Sequence, residues 1–240
     1  MKFHDYRINV MILFVTIIFL LASASLMAND KFPKEKSWSL QFEIDDDFQP
    51  SSFKGSMLSI KHHSSAKSAW RLGIKMDFDL TKGDSETESI SPTSDITRDY
   101  DTENNRFNID LVYQYMKYVN PKSDFNLFFA YGPHLGCYLR SDNQEETIPY
   151  GDEIRIRYID YDYRTITVGT ELSLGVEWFF MKNASLLAEY GAQINYSWLE
   201  NKRTAHYITG DDIDSQISED NRNSFTLIGN PVKFGLSIYF

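Results

Sequence analysis

Trp70, Leu72, Ile74, Met76, Phe78 and Leu80 occupy every second position of one stretch, and Arg71, Gly73, Lys75, Asp77 and Asp79 fill the places between. Successive side chains of an extended strand point to opposite faces, so one face of this stretch is wholly apolar and the other polar or bare. The same period runs through Trp38, Leu40, Phe42 and Ile44, then Phe107, Ile109, Leu111, Tyr113 and Tyr115, then Phe125, Leu127, Phe129 and Tyr131. Two longer ladders climb from Ile166 to Phe180 and from Leu186 to Trp198, and the chain ends on Val232, Phe234, Leu236, Ile238 and Phe240. A further strand is expected between Phe53 and His62, where Met57, Leu58 and Ile60 disagree in phase. That makes eight strands in all, with ten as the alternative if the Tyr-rich stretch near 155–164 pairs independently.

The connections alternate in length. Those at 61–68, 119–124 and 181–184 are tight, whereas 81–106, 139–164 and 199–224 are long and polar, with a shorter one at 45–52. Short and long connections at opposite ends define an up-and-down antiparallel array. Loops of that length are unusual in compact soluble domains and expected on the outer side of a membrane barrel. Charge follows the same division: the three long segments together with Asp45, Asp46 and Asp47 sum to -13, against a net of -10 for the whole chain. An excess of 34 acidic over 24 basic residues argues against nucleic acid as a partner, because a phosphate backbone needs a basic face. Cys137 is the single cysteine, which excludes an intrachain disulfide and a Cys-rich zinc site.

Residues 1–28 read as a targeting segment. Lys2 and Arg7 precede the apolar run from Val10 to Ala22, and small residues lead to exits after Ala24 or Ala28. That order marks a secretory signal peptide, and its 13-residue apolar core is short of the roughly 20 that cross a bilayer as a helix. The mature chain is then 29–240.

An inward-apolar soluble barrel and an outward-apolar membrane barrel share this alternation. Trp and Tyr at the ladder ends, such as Trp38, Trp70, Trp178, Tyr196 and Trp198, suit interfacial girdles and favour the membrane form. The opposite face carries Arg71, Lys75, Asp110, Glu171, Glu177, Glu189 and Lys233 among glycines, a set able to fill a narrow lumen by pairing. Lys233 is expected within salt-bridge reach of Glu189 or Glu171, because an isolated charge there would be costly. The closing Phe234, Leu236, Ile238 and Phe240 resemble the C-terminal signature of Gram-negative outer-membrane barrels. The whole mature chain resembles the small eight-stranded OmpA/OmpX-type proteins. The resemblance implies recognition by the barrel-insertion machinery and residence in the bacterial outer membrane, among its lipid and lipopolysaccharide.

Chemistry is sparse. His62 and Ser64, or His63 and Ser65, share a side of an extended chain as a base and nucleophile would, but they fall in an expected tight turn at the periplasmic end. His134 and His206 lack a local Ser or Asp partner. The acidic run of Asp211, Asp212, Asp214, Glu219 and Asp220 lacks the glycine of an EF-hand, leaving weak divalent-cation binding at most. Arg and aromatic residues alternate from Arg155 to Arg164, as in a self-packed hairpin or a protein-binding surface. The expected function is non-catalytic, without cofactor: an envelope barrel displaying acidic surface segments. The alternatives are a lipid A-modifying enzyme and a narrow pore or hydrophobic-ligand transporter.

Overall fold

The computed structural model describes residues 36–49, 52–91, 94–119, 124–150, 153–209 and 212–240, so the targeting segment 1–28 lies outside it. Nine β-segments follow in order: β1 (Trp38–Gln49), β2 (Lys54–Ser65), β3 (Ser68–Ser91), β4 (Ser94–Tyr118), β5 (Phe125–Tyr150), β6 (Glu153–Met181), β7 (Ala184–Thr209), β8 (Asp212–Gly229) and β9 (Lys233–Tyr239). From β1 to β8 each pairs antiparallel with the next, and β7–β9 and β9–β1 pairings close a ring of eight strands, β1 to β7 with β9. The protein is an all-β, up-and-down barrel. β8 and β9 form a single stave pairing with β7 at two heights, interrupted at residues 230–232, where Pro231 has no N–H to donate.

The strands are strongly staggered. Stepping from Trp38 to its partner His62, and on through Trp70, Tyr115, Tyr131, Leu172 and Ala192, arrives at Gly229. Trp38 itself exchanges backbone hydrogen bonds with Phe240, eleven residues further along that last stave. Such a displacement tilts the strands by about 35–45° and leaves an interior that side chains can fill.

Closure is confined to one end. β1 and β2 stop at Gln49 and Lys54, and the hairpin's last contact with β3 is the hydrogen bond from Phe78 N to Ser52 O. Above that level β3 pairs only with β4, and β8 only with β7, among the described residues. Six strands, β3 to β8, therefore rise as a curved sheet with two free edges.

Three sequence expectations change here. The segments 81–106, 139–164 and 199–224 are paired strand for nearly all their described length, not irregular loops. The Tyr-rich stretch is β6 itself, pairing β5 and β7, so it adds no ninth and tenth staves. The turn expected at 61–68 shrinks to Ala66 and Lys67, because β2 runs on to Ser65 and carries Lys61 and His63 inside the wall.

Candidate functional site: a charge-paired lumen

On every stave of the ring the apolar ladder faces outward. Leu72, Leu111, Leu135, Leu172, Ile194 and Phe234 are all exposed, and together they belt the barrel. Aromatic groups border the belt below, where Trp38 meets Trp70 at 5.2 Å and Phe125 stacks on Trp178 at 5.5 Å. Above it Phe78 stacks on Phe107 at 6.4 Å and Tyr196 meets Trp198 edge-on at 4.8 Å. From Trp178 up β6 to Ile166 is twelve residues, about 30 Å of height at about 3.3 Å per residue and a 40° tilt, enough for a hydrocarbon layer.

Inward-facing residues form three stacked groups. In the lowest, the carboxylate of Glu177 on β6 accepts hydrogen bonds from Lys61 Nζ (2.7 Å), Tyr118 OH (2.8 Å), Ser185 Oγ (2.5 Å) and Tyr239 OH (2.7 Å). Five staves thus converge on one fully buried group. Phe128, Met116, Ala69 and Ala130 pack beside Tyr118 as an apolar floor. Gly175 makes room for it, since a Cβ there would collide with the Phe128 ring.

The middle group centres on Arg71 of β3. Its guanidinium donates to Glu43 Oε1 (2.5 Å), Glu189 Oε2 (2.8 Å) and Gln114 Oε1 (2.8 Å from Nε). Gln41 donates to Glu43 from the neighbouring inward position. In the upper group Lys233 Nζ lies 2.7 Å from Glu171 Oε1 and 3.4 Å from Glu189 Oε1. Lys75 Nζ reaches Glu171 at 3.5 Å, and Gln193 donates to the same carboxylate at 3.0 Å. The lumen therefore sets four cations (Lys61, Arg71, Lys75, Lys233) against four carboxylates (Glu43, Glu171, Glu177, Glu189): Arg71, Lys233 and Lys75 are linked through Glu43, Glu189 and Glu171, and Lys61–Glu177 forms a separate pair beneath them. Directed pairing of this kind is what makes buried charge tolerable.

Of the residues singled out by sequence, six meet in this set: Arg71, Lys75, Glu171, Glu177, Glu189 and Lys233. Asp110 does not. It stands opposite Lys75 in the β3–β4 register, but its carboxylate lies 3.2 Å from His134 Nε2, while Lys75 turns to Glu171. Above the set a cavity of about 170 Å³ is bounded by Glu43, Lys75, Asp77, Asp110 and Lys233. Lys61 and Glu43 escaped the sequence reading. Glu43 lies between Phe42 and Ile44, so the alternation that exposed the others applied to it as well.

The two histidine–serine candidates place their histidines on opposite sides of the wall. His62 faces out between Trp38 (4.5 Å) and Trp70 (5.4 Å), whereas His63 faces in and stacks on Tyr118 at 5.2 Å. Ser65 Oγ bonds to Ser68 Oγ (2.8 Å), and His206 Nδ1 to Ser215 Oγ (2.9 Å) on an exposed surface. Among the described residues no three His, Cys, Asp or Glu side chains group as metal ligands; Asp211 lies outside those residues.

In the upper sheet the Arg–Tyr alternation packs against itself. Arg140 lies over Tyr163 (5.7 Å), Arg157 over Tyr207 (5.4 Å) and Arg203 over Tyr161 (5.7 Å), around buried Ile159 and Ala205. Arg140 and Arg157 also pair with Asp142 and Glu146, at 2.6 Å and 3.5 Å.

A closed, even-numbered antiparallel ring with an apolar outer belt, two aromatic borders and paired charges within is a transmembrane β-barrel of the bacterial outer membrane. No known family pattern matches the chain, and no curated protein matches it. Among solved structures it is similar to CarO of Acinetobacter baumannii, at 12% identity and a TM-score of 0.33, covering 89% of this chain and 100% of that one. CarO2 of the same organism gives 13%, 0.36, 85% and 99% in the same order. A major outer membrane protein of Thermus thermophilus gives 12%, 0.34, 85% and 98%.

Proposed function

We propose that the protein is a sealed, non-catalytic outer-membrane barrel that contributes to envelope structure and carries a rigid sheet outside the membrane for surface contact. The observation that carries this reading is the pairing of four cations with four carboxylates across the lumen at three levels, with Glu177, Lys61 and Arg71 almost wholly inaccessible. Ions have no continuous water path through such a set. A hydrolytic reading finds no support in His62 and His63, whose rings are packed against aromatics, or in His134, which is paired with Asp110; His206 meets Ser215 on an exposed surface outside the lumen.

The open-edged sheet belongs on the watery outer side, because unpaired backbone groups are not tolerated in hydrocarbon. The apolar belt meets membrane lipid, and its outer rim meets lipopolysaccharide; acidic segments there hold divalent cations weakly. Phe234, Leu236, Ile238 and Phe240 act as the segment read by the insertion machinery, as in the OmpA/OmpX-type barrels that the chain resembles, and deleting Phe240 lowers the yield of assembled barrel.

Planar-bilayer recording tests the sealed lumen. Purified wild-type protein gives no stable conductance steps, and large, long-lived steps would contradict the proposal.

A further inference from the structure

The two free edges of the outer sheet frame a slot whose strand count and direction follow from the ring below. In the ring below, β1 and β2 stand between β9 and β3; above Gln49 and Lys54 both are gone, while β8 continues the stave of β9. The slot is therefore two strands wide. β3 runs away from the ring and β8 runs toward it, so the bounding edges are antiparallel to one another.

That parity selects the occupant. One inserted strand would be antiparallel to one edge and parallel to the other. Two strands joined by a turn restore antiparallel pairing on both sides. Exposed edges of this length are templates for pairing with another chain, and natural proteins usually guard them with Lys, Pro or bulges. β8 offers 18 residues with no Lys and no Pro.

Charge and apolar pattern narrow the chemistry. Residues 79–91 of β3 hold four acidic residues against Lys82, and β8 holds four against Arg222, so each edge is -3. This mutual repulsion opposes direct joining of the two edges and favours a basic insert. On its outward face β8 bears Ile213 (70% exposed), Ile217 (62%), Phe225 (72%) and Leu227 (72%), alternate positions that a cross-strand apolar residue would cover.

We propose that the slot between β3 and β8 is a docking site for a basic β-hairpin of a partner protein, which completes the ring outside the membrane. The upper ends of β3 and β8 would then exchange backbone hydrogen bonds with the two hairpin strands, and apolar residues on its outer face would pack on Ile213 and Ile217.

The test uses the full protein in lipid nanodiscs, where both sides are accessible, so its outcome is independent of membrane orientation and of conductance. The probe is a synthetic hairpin of about 14 residues, alternating Lys and Val around an Asn-Gly turn. Controls are its Lys-to-Glu analogue and one of its strands alone. Amide hydrogen exchange at 79–91 and 212–229 is followed by mass spectrometry. The expected result is about tenfold slower exchange in both segments with the basic hairpin, weakening as salt is raised. A triple variant, Asp214→Lys, Glu219→Lys and Asp220→Lys, reverses the preference at β8 toward the acidic analogue. Protection of only one segment, of neither, or by the single strand and acidic hairpin equally would overturn the proposal.

Discussion

The ring and the sheet above it are built from the same continuous strands, yet they solve opposite problems. In the ring one face meets lipid and the other a lumen closed to water, so outward residues are apolar and the inward charges of Glu177, Arg71 and Lys233 are each answered by an opposite charge. In the sheet, apart from the cluster around Ile159 and Ala205, charges lie close to water, and the Lys82–Glu103 pair (3.2 Å) is largely exposed. A charge in the first setting is bound by its neighbours; in the second it is held mainly by solvent. The difference teaches that polarity alone does not distinguish the two regions, whereas the cost of removing one partner does.

The largest effect is expected at Glu177. Its replacement by Ala strands Lys61 and two tyrosine hydroxyls in a buried site, and costs about 3–5 kcal/mol in urea unfolding of the refolded barrel. Lys233→Ala ranks next, near the lower end at about 3 kcal/mol, because Arg71 still holds Glu189 and Lys75 still reaches Glu171. Equal stability of Lys233→Ala and wild type would show that water reaches the lumen.

Glycines sharpen the same contrast. A Cβ on Gly175 would meet the Phe128 ring and the backbone oxygen of Ala188, so Gly175→Ala is expected to cost about 2 kcal/mol through overpacking, read from the same urea curves. A Cβ on Gly83 would find Thr102 Oγ1 at 3.5 Å, an ordinary contact, and Gly83→Ala leaves the midpoint unchanged or slightly higher. The smallest effect belongs to Lys82→Ala, below about 0.5 kcal/mol, because its pair is screened by solvent.

The ring was legible in the sequence because lipid on one side and a lumen on the other impose a period of two. Where that condition fails, so does the signal. From Thr81 upward on β3 the sequence is polar at both alternate sets of positions, so no alternation separates strand from loop, and 81–106 reads as irregular although its described residues pair one for one. Met57 blurred the phase of β2 for another reason: it is an apolar side chain on the inner face, 2% exposed, seated beside Gly73. The lumen pairs Lys233–Glu171 and Lys233–Glu189 follow from adjacent ladders at matching depth. Convergence on Glu177 does not, because Lys61, Tyr118, Ser185 and Tyr239 come from four other staves whose mutual heights depend on the stagger of the closed ring. Lys61 was hidden further because the polar residues that follow it read as a turn, whereas β2 stays extended as far as Ser65.

The division between closed ring and open sheet is tested most directly by amide hydrogen exchange on the wild-type protein in lipid nanodiscs, resolved along β8 and β9. The ring predicts slow exchange throughout Lys233–Tyr239, which is paired on both sides, and fast exchange at alternate residues of Asp212–Gly229, paired on one side only. Uniformly slow exchange along the whole of β8, equal to that of β9, would contradict the account, because it would mean that the barrel closes above Gln49 and Lys54.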